Sequence, residues 1–166
     1  GGRTLAACHP FVRHSTWRNH ALLLAGNFNL TNTGALFDAL AEGGHHLSSR
    51  QDSDILLARL AHCLEKQPGT YDGVESRDIP ALLRAAASDW DGGFVVCGAL
   101  GNGDAFALRD AAGIRPAYCY YDDEIAVVAS ERVAIQTTFD ISTAEVAEIP
   151  PGHAFVVLRN GDVSMP

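Results

Sequence analysis

Asn27, with Asn29, Thr31 and Asn32 close behind it, is the densest group of small polar side chains beside an apolar run in this sequence: LLLAGNFNLTN. An asparagine amide next to a main-chain N–H, both fixed beside a buried strand, can hold the negative oxygen that develops when a carbonyl is attacked. The same residues can instead close an Asx turn. The spacing leaves both readings open.

Other reactive residue types offer less. Seven histidines include His9, His14 and the pair His45-His46, but no Cys or Glu stands at ligand spacing from them, and His45-His46 follows two glycines at a helix end, where the dipole favours histidine. No metal site and no cofactor are expected. The four cysteines, Cys8, Cys63, Cys97 and Cys119, have no partner at two-residue spacing and read as apolar fillers. Asp122-Asp123-Glu124 leads straight into EIAVVAS without the glycines of a phosphate loop, so it reads as a hairpin turn. In RDAAGIRP, Gly113 suits a tight turn, Pro116 fixes the exit, and Asp110 can pair with Arg109 or Arg115.

The elements that must hold these residues are legible from periodicity. A buried strand is expected over 20–26, ending in a turn at the asparagines. A helix follows from about Thr33 to Gly43-Gly44, with Thr31, Asn32 and Thr33 as its caps. Leu56, Leu57, Leu60 and Leu64 mark a second helix from about Ser53 to Lys66, and Leu82, Leu83 and Ala86 a third from Ile79 to Ser88. Residues 69–78 read as a polar loop. Beyond Asp91 the short runs FVVCGAL, DAFALRD, AYCYY, EIAVVAS and HAFVVLR predict an antiparallel meander, with Ser130 capping a short helix through Ala134 and Ile135. The fold class is α+β, with helices layered on sheets that are apolar in long runs.

The 166 residues suit one domain, and a net charge of -8 with only twelve Lys and Arg disfavours a nucleic-acid surface. No apolar run reaches the roughly 20 residues of a membrane span, and nothing resembles a secretory signal, so a cytoplasmic location is expected.

Five segments, in order, resemble the class II glutamine amidotransferases. They are Cys8-His9-Pro10-Phe11, Gly26-Asn27-Phe28-Asn29-Leu30-Thr31-Asn32, Gln51-Asp52-Ser53-Asp54, RDAAGIRP with VASERVA, and Pro150-Pro151-Gly152-His153. The Leu-Thr-Asn ending and the Gly-Ile-Arg-Pro form are most similar to the amidophosphoribosyltransferase branch, which serves purine biosynthesis. The resemblance implies an N-terminal-nucleophile hydrolase fold, a four-layer αββα sandwich. It further implies glutamine as substrate: an N-terminal cysteine attacks the side-chain amide, its α-amino group shuttles the proton, and ammonia passes to a synthase domain. Asn27 and the Phe28 N–H would be the oxyanion donors, and Asp52 would hold the α-amino group.

The departures are informative. None of the four cysteines is N-terminal, and the family's Arg-Tyr-Ser-Thr segment, whose arginine holds the glutamine carboxylate, belongs before His9. Val12-Arg13-His14-Ser15-Thr16 mimics it but falls after His-Pro-Phe, in the loop entering the strand. The chain therefore reads as a single amidotransferase domain over 1–166, incomplete at its N-terminal strands, inactive alone and prone to self-association through exposed edges. Phe28, where the family has glycine, would put a benzyl group at the pocket mouth and strain any left-handed φ. Together with the unusual Gln51-Asp52-Ser53-Asp54 it raises a second reading, a non-catalytic module that binds a ligand or partner on a degenerate amidotransferase scaffold.

Overall fold

The computed structural model describes residues 8–47, 49–68 and 77–166; most of the expected loop at 69–78 lies outside them. Among the described residues nine strands form two antiparallel sheets. The larger has the order β1 (Phe11–Arg13), β2 (Leu22–Leu30), β3 (Gly92–Leu100), β4 (Ala105–Arg109), β8 (Ala154–Val157) and β9 (Val163–Ser164). The smaller has the order β6 (Ala126–Ala129), β5 (Tyr118–Tyr121) and β7 (Ala147–Glu148).

The period of two along the strands sends alternate side chains to opposite faces. Leu22, Leu24, Phe94, Val96 and Leu108 point to one face of the larger sheet, where α1 (Thr33–Glu42), α2 (Asp52–Lys66) and α3 (Ile79–Ala87) bury Leu36, Leu40, Leu56, Leu60, Leu64 and Leu82 against them. Each such leucine contributes roughly 1.5–3 kcal/mol of burial. Val95, Ala107 and Phe155 point the other way and meet Ala117 and Cys119 of the smaller sheet. That sheet is covered outside by α4 (Arg132–Phe139), through buried Ile135 and the Arg132 guanidinium, 4.9 Å from the Tyr118 ring. The layers are helix, sheet, sheet, helix, as expected. Burial on both faces explains why FVV reads as an unbroken apolar run.

Three expectations are corrected. The strands are not one meander: β5, β6 and β7 leave the larger sheet and β8 returns to it, because the loop after β4 carries the chain across the layers. The first long strand does not end at residue 26. It runs to Leu30, pairing Asn27 with Val95, Phe28 with Phe94 and Asn29 with Gly93. Gly26 allows this, since a Cβ there would lie 2.1 Å from the Val95 carbonyl oxygen. Finally, Ser130 does not cap α4; Glu131 occupies the cap position without a side-chain cap bond. The Asp122 turn is a hairpin as read, its carboxylate accepting the Glu124 and Ile125 N–H groups at 2.8 and 2.9 Å.

Candidate active site on the central strand

Among the described residues β1 pairs only with Leu22, Leu23 and Leu24, and none pairs with the same edge of the second half of β2. The Gly26 N–H donates to His9 Nδ1 at 3.3 Å, and the Leu30 N–H donates to Asp52 Oδ2 at 2.8 Å. Strand alternation directs the Phe28 N–H to the same edge, between these two. Among the described residues nothing accepts it.

The neighbouring Asn27 side chain faces the opposite layer. It is exposed, makes no hydrogen bond to a described residue, and lines a cleft of about 520 Å³ between the two sheets. Cys97, Ile114, Arg115, Ser130 and Glu131 also line that cleft. The Asx-turn reading fails here: Asn27 and Asn29 are strand residues whose side chains close no turn. Asn32 occupies the N-cap position of α1 as expected, but its side chain makes no cap bond, and Thr31 lies outside the cap. The Thr31 hydroxyl donates to Asp91 at 2.5 Å, the Asn32 amide donates to the Asp89 carbonyl at 2.6 Å, and its oxygen accepts the Asp91 N–H at 3.2 Å. They clamp the end of β2 onto the start of β3.

Phe28 is corrected as well. Its ring turns towards the helix layer and lies 5.6 and 6.3 Å from the rings of His9 and Phe11, so it does not block the cleft. Asp140 is the one described non-glycine residue with positive φ, so the backbone at Phe28 is unstrained. Asp52 approaches the same edge from the first turn of α2, one strand residue pair beyond Phe28. Asn27, Phe28 and Asp52 are thus brought to one end of β2. Arg13 is not: it pairs with Glu65 on α2, and with Val12 it belongs to β1 and not to the loop expected over 12–16.

The loop after β4 builds the far wall of the cleft. Arg109, only 6% exposed, donates to the carbonyls of Arg115, Ile149 and Gly113 and to Glu148. Asp110, fully buried, accepts the N–H groups of Phe94, Ile114 and Arg115. The expected pairing of Asp110 with an arginine side chain does not occur; backbone donors hold it instead. Burial opposes the Asp110 charge, but the N–H groups of Arg115, Ile114, Phe94 and Ala112 outweigh it and hold its carboxyl below the usual carboxylate range. Burial alone pushes the Cys97 thiol up, which makes it a poor nucleophile at neutral pH.

Sequence reasoning missed His9 as a partner of β2; its nearness to Pro10-Phe11 and to an unpaired edge was the available signal. Among the described residues no three metal-ligating side chains cluster, although His45 and His62 meet at 2.7 Å.

Residues 7–137 match the family profile described as a glutamine amidotransferase domain. The chain belongs to that family. The domain is 28% identical over 98% of its length to an amidophosphoribosyltransferase of Methanocaldococcus jannaschii, covering 31% of it. It is likewise 28% identical over 84% of its length to an amidophosphoribosyltransferase of Methanothermobacter thermautotrophicus, covering 27% of that protein. The solved glutamine phosphoribosylpyrophosphate amidotransferase of B. subtilis, complexed with ADP and GMP, superposes with a TM-score of 0.74 at 19% identity, over 99% of this domain and 32% of that chain. The amidotransferase domain described here thus spans about a third of the length of these proteins, and it shares the N-terminal-nucleophile hydrolase fold.

Proposed function

We propose that this domain is the glutaminase part of an amidophosphoribosyltransferase-like enzyme, releasing ammonia from the side-chain amide of glutamine. One observation carries the reading: the Asn27 carboxamide and the Phe28 N–H are donors on adjacent residues of one strand, neither with an acceptor among the described residues, and Asn27 lines the cleft between the sheets. A cysteine thiolate attacking the amide carbon would push charge onto an oxygen placed between them, and donors already in position lower the cost of forming it. The cysteine's own α-amino group takes the thiol proton and returns it to the departing ammonia, leaving a thioester that water hydrolyses to glutamate. Asp52, with one oxygen already accepting from Leu30, has the other for the substrate ammonium group.

The 166-residue polypeptide does not itself turn over glutamine on this account. Cys63, Cys97 and Cys119 lie inside α2, β3 and β5, so none of them offers the free amine the mechanism needs. The turn of the Phe28 ring away from the cleft removes one ground for a non-catalytic module. Three unbridged thiols, Cys63, Cys97 and Cys119, suit a reducing cytoplasmic compartment. The test is a glutaminase assay on the polypeptide alone and on its Cys97→Ser variant, beside calorimetric titration with L-glutamine. Binding without turnover is expected; turnover lost on Cys97→Ser would contradict the assignment of the nucleophile.

A further inference from the structure

His9 touches the residues on either side of Asn27. The main-chain ladder between β1 and β2 ends at the pair Phe11 and Leu24. The next N–H on that edge of β2, that of Gly26, donates to the His9 Nδ1 at 3.3 Å, so a side chain stands where a strand would offer a carbonyl. The same imidazole lies 4.5 Å from the Phe11 ring and 5.6 Å from the Phe28 ring, and these two contacts set its orientation. On the opposite edge β3 pairs along the whole of this stretch. At Gly26, the residue leading into Asn27, His9 is the hold on the edge that β1 has left.

A glycine has no side chain to limit its dihedrals, so Gly26 is the point at which β2 can swing, and a change of direction there moves both Asn27 and Phe28. The bond to His9 is at the surface, where water can replace the imidazole as acceptor, so the fold loses little without it. Direction is lost instead. Water follows an N–H wherever it turns, whereas an imidazole packed between Phe11 and Phe28 accepts along one line. Donors fixed in advance stabilise a developing oxyanion only while they are aimed at it. We infer that His9 is a positioning residue, which aims the Asn27 and Phe28 donors by holding the Gly26 N–H. The inference rests on the glutaminase reading of the Asn27 site. It gives the Cys8-His9-Pro10-Phe11 segment a task there, one that acts on turnover and leaves affinity and stability nearly unchanged.

The test separates the acceptor from the ring in the full-length protein, with glutaminase turnover and amide hydrogen exchange as readouts. His9→Phe keeps an aromatic ring against Phe11 and Phe28 but has no acceptor. His9→Asn gives up the ring and puts a side-chain oxygen close to where Nδ1 stands. For His9→Phe, kcat is expected to fall about 10-fold or more, towards the roughly 100-fold that a misplacement of about 1 Å costs, with KM within about threefold. Exchange of the Gly26 N–H should quicken in the same variant. His9→Asn should recover part of the lost kcat, and both variants should keep the unfolding midpoint of the unsubstituted protein. A purely structural histidine would lower that midpoint and would not divide kcat from KM. A kcat for His9→Phe within about threefold of the unsubstituted protein, an equal fall in both variants, or a midpoint lowered in both overturns the positioning role and leaves the Asn27 site standing. Absence of turnover in the unsubstituted protein overturns the glutaminase reading, and this inference with it.

Discussion

Arg109, at the end of β4, and Arg115, in the loop that follows, are treated in opposite ways. Arg109 spends its donors on three carbonyls and Glu148, and the adjacent Asp110 collects three backbone N–H groups; every polar atom that matters there faces another. Across the cleft from that loop's Arg115, the Asn27 side chain on β2 likewise keeps donors with no acceptor among the described residues, as does the Phe28 N–H at the sheet edge. Saturated polar groups hold a shape. Unsaturated ones that converge on a cleft are left for a ligand, at some cost to stability.

The sharpest way to break this division is to damage each side and ask which property fails. Asp110→Ala strands one buried and two partly buried N–H groups, so a loss of about 3 kcal/mol is expected from urea unfolding, with the cleft wall disordered. A loss below about 1 kcal/mol would remove the loop's structural role. Thr31→Val, which unties one side-chain bond of the β2–β3 clamp, should cost only about 1 kcal/mol by the same measurement.

Acid sharpens the comparison further. The folded-state pKa of Asp110 is depressed, so its contribution is present above the unfolded carboxylate value of about 3.9 and is lost as pH falls through the lower folded value. His20, held below its ordinary value first by burial and then by Arg77, makes the fold resist protonation, so stability declines once pH drops below about 6.5 towards that lowered value. Thermal unfolding from pH 8 to 3 should show a first decline, reduced in His20→Gln and removed only when His62, which burial also holds below its ordinary value, is replaced as well, and a second in the carboxylate range. A flat profile below pH 6 would contradict both assignments.

A smaller effect concerns the open edge of the larger sheet. Val12 and Leu23 are 48% and 39% exposed on the paired strands β1 and β2, so weak self-association is expected. Light scattering should show it falling on Val12→Lys, and an unchanged mass from dilute to concentrated solution would exclude it.

How much of this was legible in the sequence follows from the range over which each signal acts. The three helices were read within a residue or two, because Leu56, Leu60 and Leu64 repeat at a period that local geometry enforces. The end of β2 was not. Asn27, Asn29 and Asn32 are turn formers by propensity, yet β3 supplies a ladder and Gly26 the clearance for it, and tertiary pairing overrode local preference. The split into two sheets was hidden for a similar reason, since the crossing depends on Asp110 gathering N–H groups from two segments. At the site, Asn27, Phe28 and Asp52 were named by resemblance, whereas Arg115 could not be singled out. Its distinction is the absence of a partner, which only three-dimensional structure reveals.

The central claim, that the end of β2 supplies oxyanion donors, is tested most directly by Asn27→Ala in the full-length protein with glutaminase turnover as the readout. The account predicts a fall in kcat of about 100-fold or more, with KM changed less than about threefold and the unfolding midpoint preserved, because the Asn27 side chain supports nothing in the fold. A kcat within about threefold of the unsubstituted enzyme would contradict it.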